Sequence, residues 1–128
     1  DEVSVYDEDS QLSGSSQKVK ELYLQLKEKV SSWEDMKFKT TKHYLSFGKG
    51  NKTKVYINLQ KERIKLHLLR RIDFKGNVSS AKVMFNLDDP KNIHTLFKSG
   101  HKEQYQILMK DDKDIDYIVS LLKQKYDS

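Results

Sequence analysis

Two runs of alternating residues limit what this chain can fold into more than any other feature. In residues 53–60, Val55, Ile57 and Leu59 alternate with Lys54, Tyr56, Asn58 and Gln60; in 63–68, Ile64, Leu66 and Leu68 alternate with Arg63, Lys65 and His67. A period of two sends successive side chains to opposite faces, so both runs predict strands with one apolar and one polar face. Lys61-Glu62 between them leaves room only for a short connection. It is not an Asn-Gly type of pair, so the turn type stays open. Residues 43–47 repeat the pattern, with Leu45 and Phe47 on one side and Tyr44 and Ser46 on the other. Gly48-Lys49-Gly50-Asn51 then reads as a flexible turn. Three antiparallel strands follow over residues 37–71.

The flanks supply what such a sheet needs to cover its apolar face. Residues 1–15 mix acids with Ser and Gly and show no apolar periodicity; they read as a tail or linker, the end of something longer. From Ser16, Val19, Leu22, Tyr23, Leu26, Val30 and Trp33 recur at three- and four-residue steps, predicting an amphipathic helix that ends near residues 31–34. After a polar connection over 72–80, Val83, Phe85 and Leu87 suggest a short strand. Asp88-Asp89-Pro90 suggests a helix start, with Ile93, Leu96 and Phe97 as its apolar face and Gly100 as its stop. Residues 103–109 alternate again, Tyr105, Ile107 and Met109 against Gln104 and Gln106. A last helix carries Ile115, Ile118, Val119, Leu122 and Tyr126, with Asp111, Asp112 and Asp114 before it and Lys123 and Lys125 near its end, as the helix dipole favours. The expectation is one α+β domain over 16–128: an antiparallel sheet of about four strands, N- and C-terminal helices packed on one face, and a short additional helix.

Charge is distributed unevenly. The net charge is +5, yet residues 37–75 hold 12 Lys or Arg against Glu62 and Asp73 alone, while Asp1, Glu2, Asp7, Glu8 and Asp9 concentrate negative charge at the start. A basic island of this kind suits an anionic partner, although a solvated Lys-rich surface that blocks edge pairing explains it equally well. The absence of cysteine excludes disulfides and thiolate metal sites. No run approaches the roughly 18–20 apolar residues of a membrane span, and the acidic start is unlike a signal peptide. A cytoplasmic protein with no membrane partner is the expectation.

Thr41-Lys42-x-Tyr44-x-x-Phe47, Val55 and Ile57, Lys65 to Leu69, Asp88-Asp89-Pro90, Gly100-His101, Tyr105 and Asp116-Tyr117 through Tyr126 occur together in this order. Over residues 16–127 the set resembles an uncharacterised bacterial domain family, found at the C-terminus of so-called predicted transport proteins and behind restriction-type or repair-type nuclease modules. The resemblance implies an accessory domain, with a nuclease module as a partner in the same or another chain. Lys102-Glu103-Gln104 follows Gly100-His101 where family members have an aromatic residue and a further Gly, so no role is carried over to that loop.

Catalytic patterns are sparse. A restriction-type nuclease requires an Asp and a Glu-x-Lys on adjacent strands to hold the metal and activate water, and neither Glu62-Arg63-Ile64 nor Glu103-Gln104-Tyr105 supplies it. His43, His67, His94 and His101 lack ligand spacing, and there is no Gly-x-Ser-x-Gly elbow. Gly48 to Lys52 lacks the spacing of a phosphate loop. No cofactor, metal or enzymatic activity is expected. One constellation remains: strand parity puts Lys42, Tyr44, Lys54, Tyr56, Arg63, Lys65 and His67 on the non-core face, beside Ser46, Asn58 and Gln60. Cations interleaved with aromatics suit DNA or RNA, phosphates on the cations and bases on the rings. Alternatively, the short helix covers this face and the tyrosines are packing residues. The alternative function is a protein–protein or oligomerisation module that uses the same sheet without binding nucleic acid.

Overall fold

A computed structural model describes residues 12–41, 44–71, 85–99 and 102–128. The expected tail up to residue 11, Lys42, His43, the 72–80 connection, Val83 and the Gly100-His101 pair lie outside them. Helix α1 (Gln17–Val30) begins where Ser16, in extended conformation, accepts a hydrogen bond from the Val19 amide through its side chain, an N-cap in the ordinary sense. It buries Val19, Leu22, Tyr23, Leu26 and Val30, and Lys27 and Lys29 sit in its last turn. Strands β1 (Met36–Thr40), β2 (Leu45–Lys49), β3 (Lys52–Leu59), β4 (Ile64–Arg71), β5 (Thr95–Ser99) and β6 (Lys102–Met109) precede α2 (Ile115–Tyr126).

All neighbouring strands are antiparallel and the sheet order is β1-β2-β3-β4-β6-β5. Among the described residues the sheet therefore has six strands rather than about four, the additions being its two edges. At β1 the Met36-Lys37-Phe38-Lys39-Thr40 alternation continues the pattern next to β2. At β5 the correction is larger, because the expected short helix is absent and Thr95, Leu96 and Phe97 are strand residues. The Asp89 carboxylate takes the amides of Ile93 and His94, which closes a loop, and Asn92 turns the chain with φ 53°. A helix N-cap would hold amides two and three residues on, so this geometry cannot start one. Phe85 and Leu87 belong to an irregular stretch joined to β4 by the Phe85 amide and the Arg70 carbonyl, not to a strand.

The turn after β2 is also tighter than its glycines suggest. Lys49 pairs with Lys52, so only Gly50-Asn51 lies between the strands, and Gly48 is inside β2. Gly50 takes φ 59°, a conformation that suits glycine, and its amide donates to the Asp35 carbonyl.

The core forms from one side of the sheet. Leu45, Phe47, Val55, Ile57, Ile64, Leu66, Leu68, Tyr105, Ile107 and Met109 pack with the buried faces of α1 and α2. Trp33, just past α1, stands 5.1 Å from the Tyr126 ring and 6.1 Å from Phe47, and the Tyr126 hydroxyl donates to the Glu34 carbonyl, which fastens the end of α2 to the α1–β1 turn. Each large apolar side chain buried here contributes about 1.5–3 kcal/mol. The segment 85–94 joins the same side, Phe85 packing edge-on against Tyr105. No helix among the described residues is long and apolar enough to cross a membrane.

Candidate nucleic-acid interface

With both helices on one side, the opposite sheet face is covered by no helix among the described residues. The 88–94 segment, which the alternative reading placed over this face as a helix, runs instead on the core side, where Tyr117 of α2 donates to Asp89 and Gln124 exchanges two 2.8 Å hydrogen bonds with the Asp88 backbone. Strand register aligns the open face in rows. One row crosses all six strands: Lys39, Ser46, Tyr56, His67, Gln106 and Thr95 are successive cross-strand partners. All six are polar. A second row pairs Asn58 with Lys65 and Lys65 with Leu108, and a third places Leu69, Gln104 and Phe97 side by side.

Of the residues singled out from sequence, Tyr44, Tyr56, Lys65 and His67 meet on this face. The Tyr44 and Tyr56 rings lie 5.1 Å apart, nearly perpendicular at 77°. Tyr44 is held by Thr41, whose hydroxyl donates to the Tyr44 carbonyl and accepts from its amide. Burial, reinforced by Tyr44, pushes the Tyr56 phenol up from its ordinary pKa, so it stays a neutral hydroxyl. His67 Nδ1 is 2.9 Å from the Gln104 Oε1; the amide oxygen only accepts, so Nδ1 carries the proton and Nε2 is left as an acceptor. Burial lowers the His67 pKa, the Lys65 charge adds to that, and the Gln104 bond opposes it. The imidazole is neutral at pH 7.

Two of the residues go elsewhere. Register shifts between Phe47 and Gly48, where β3 carries an extra residue against β2, and simple parity fails there. The Lys54 Nζ donates to the Ser128 carbonyl at 2.7 Å, just beyond α2, which packs on the covered side. There it faces Lys125, pushed down to about 8 by burial and by Lys54; Lys54 itself is lowered by burial and by Lys52 and Lys49. Arg63 is bonded through Nε to the Gln60 side chain and lines a shallow groove with Lys18, Lys61, Glu62 and Lys110 at the end of the sheet. Lys42 falls outside the described residues. The face also holds residues outside the set singled out for the site from sequence: Lys37 and Lys39 of β1 are exposed, and Gln104 and Gln106, on the polar side of the strand expected over 103–109, lie beside His67. For Lys37 and Lys39 the signal is the alternation in 36–40.

A second polar cluster sits at the Asp88-Asp89-Pro90 loop. The Asp89 side chain is fully buried; Oδ2 accepts from the Ile93 amide (2.7 Å), the His94 amide (3.0 Å) and His94 Nδ1 (2.7 Å), and Oδ1 from Tyr117. Burial alone would raise its pKa, but the bonds from Tyr117, His94 and the two amides outweigh it and hold the carboxyl down at about 2. The His94 ring stands edge-on to Tyr105 at 5.1 Å. Every Asp89 contact is internal, which makes the cluster a clasp between the loop and α2. Among the described residues no three His, Asp or Glu side chains converge where a metal ion would sit.

Residues 8–128 match the family described as Domain of unknown function (DUF5655). An uncharacterised protein of Haemophilus influenzae is 28% identical over 127 residues, which is 96% of this chain and 38% of that protein. The chain thus spans about two fifths of the length of that curated relative. No solved structure matches the chain.

Proposed function

We propose, on the premise that the chain belongs to the DUF5655 family, that it is a non-catalytic accessory domain that binds nucleic acid through the open face of its sheet. The observation that carries this reading is the six-strand polar row with Tyr44 and Tyr56 paired at its centre and Lys37, Lys39 and Lys65 around it. Cations there take phosphates and the aromatic faces take bases. The greater length of the Haemophilus relative supports the accessory role. The sequence resemblance supports a bacterial setting beside a nuclease or restriction module, and a cytoplasmic location fits such a partner. The non-catalytic part rests on the missing Asp and Glu-x-Lys pattern.

The test is titration of the protein with single- and double-stranded oligonucleotides at about 50 and about 200 mM salt. Binding should weaken steeply with salt, and Lys39→Ala and Lys65→Ala should each take about 0.7–0.9 from the log–log slope. Absence of binding at low salt, or unchanged slopes in both variants, would reduce the basic face to a solvated surface.

One observation favours a second reading, a protein-binding module. Toward the β5 edge the same face turns apolar, with Leu69, Leu108 and Phe97, the last two 44% and 45% exposed. Association through that half would persist at high salt, which separates the two readings.

A further inference from the structure

We infer that the row Lys39, Ser46, Tyr56, His67, Gln106 and Thr95 is a track for single-stranded nucleic acid, with bases laid on the tyrosines and their edges met by the His67 and Gln106 side chains. The inference rests on the proposed nucleic-acid reading and narrows its ligand to unpaired strands.

Dimensions argue first. Six strands about 4.8 Å apart span about 24 Å, whereas a major groove is about 12 Å wide and admits a helix or a two-stranded ribbon. The middle of this sheet cannot enter a duplex groove. It would meet a duplex only at the phosphates on its outside, which calls for cations across the contact. The chemistry of the row runs the other way. Its one formal cation, Lys39, is at the β1 end; Ser46 of β2 is buried beneath the face, and the three strands beyond it carry a phenol, an imidazole and an amide. Those groups match base faces and base edges, which only unpaired strands offer to a flat surface.

The central groups are also prearranged. The Tyr44–Tyr56 contact and the His67–Gln104 bond hold Tyr56 and His67 half-buried in fixed positions, so little side-chain freedom is lost on binding. With Nδ1 committed to Gln104, His67 Nε2 accepts and Gln106 offers both a donor and an acceptor, a set able to meet base edges. Lys39 at one end, with Lys65 one step along the strands, would take the backbone of a strand lying across the sheet. The width suits a site of about four nucleotides, the short end of the range for sheet-type single-strand binders.

The experiment measures affinities of the intact chain for a short labelled oligonucleotide, free and annealed to its complement, at low and moderate salt. His67→Ala, Gln106→Ala and Tyr56→Phe are run in parallel, with a thermal melt of each variant to establish that it is folded. The single strand should bind at least about tenfold tighter than the duplex. His67→Ala or Gln106→Ala should each weaken the single strand about five- to tenfold and leave the salt slope unchanged, while Tyr56→Phe, which keeps the ring, should retain affinity. Equal affinity for the duplex, with His67→Ala and Gln106→Ala without effect, overturns the single-strand track but leaves salt-dependent binding by the face standing. Failure of both forms to bind overturns this inference together with the reading beneath it.

Discussion

Asp89 illustrates how one side chain can replace an element of secondary structure. Its carboxylate accepts four hydrogen bonds while its side chain is fully buried, and the chain from 89 to 94 therefore closes as a loop clasped to α2 instead of starting a helix. A carboxyl held at about 2, against an ordinary 3.8, binds its proton less readily folded than unfolded. Its contribution to stability is therefore present above about pH 4 and is lost as pH falls through about 2. The shift corresponds to about 2 kcal/mol. Asp89→Asn should lose about that much at neutral pH and should flatten the acid limb of a melting-temperature profile taken from about pH 2 to pH 5. An unaltered acid limb in the variant would mean that the clasp carries no net electrostatic stability. Tyr117→Phe should give a smaller loss of the same sign, since three of the four bonds remain.

At the scale of elements, the irregularity between Phe47 and Gly48 decides which lysines reach which face. A Cβ on Gly48 would lie 1.9 Å from the Lys52 carbonyl oxygen and 2.7 Å from the Thr53 Cα, both backbone atoms that cannot swing away. Gly48→Ala should accordingly cost about 3 kcal/mol or more, the upper end of overpacking, seen as a lower denaturant midpoint; a loss below about 1 kcal/mol would mean that the β2–β3 hairpin opens freely. The same irregularity marks the limit of what alternation reveals. Where a strand is regular, as at Tyr56, Lys65 and His67, parity read from the sequence puts the side chain on the right face. At Lys54 one extra residue sends the ammonium to the end of α2, and no periodicity signals that. The two edge strands were hidden for different reasons. Met36 to Thr40 does alternate, but it is five residues long and only half-buried, so its apolar set is weak. Thr95 to Ser99 was masked by Asp88-Asp89-Pro90, whose residues suit a helix start and a side-chain-closed loop equally well. The core was the most legible part, because helix and strand periods name most buried side chains of α1, β3, β4, β6 and α2; in α2 they miss Leu121, which is buried while Val119 is only partly so.

For the whole molecule the governing quantity is charge asymmetry. A local balance of +10 over residues 37–75 lies on the same chain as five acids within the first nine residues. If the proposed nucleic-acid reading holds, those acids should lower the net charge that a polyanion meets and compete with it as an intramolecular counter-charge at high effective concentration. The cut that tests this falls after residue 11, since Leu12 packs against the core, the Ser15 hydroxyl donates to the Gln60 carbonyl at 3.0 Å and the Ser16 amide donates to the Lys61 carbonyl. Removing residues 1–11 takes away no cation and no described core contact, so the shortened chain should melt as cooperatively as the full one. Its net charge rises to +10, and oligonucleotide affinity at low salt should rise severalfold, mostly through faster association. Screening shortens the Debye length to about 10 Å at 0.1 M salt and about 3 Å at 1 M, so the gain should fade as salt is added. An affinity identical to that of the full chain at low salt would show that the acidic segment neither shields nor competes. A gain that persists undiminished at high salt would point instead to a steric effect of the segment, since charge would then have no part in it.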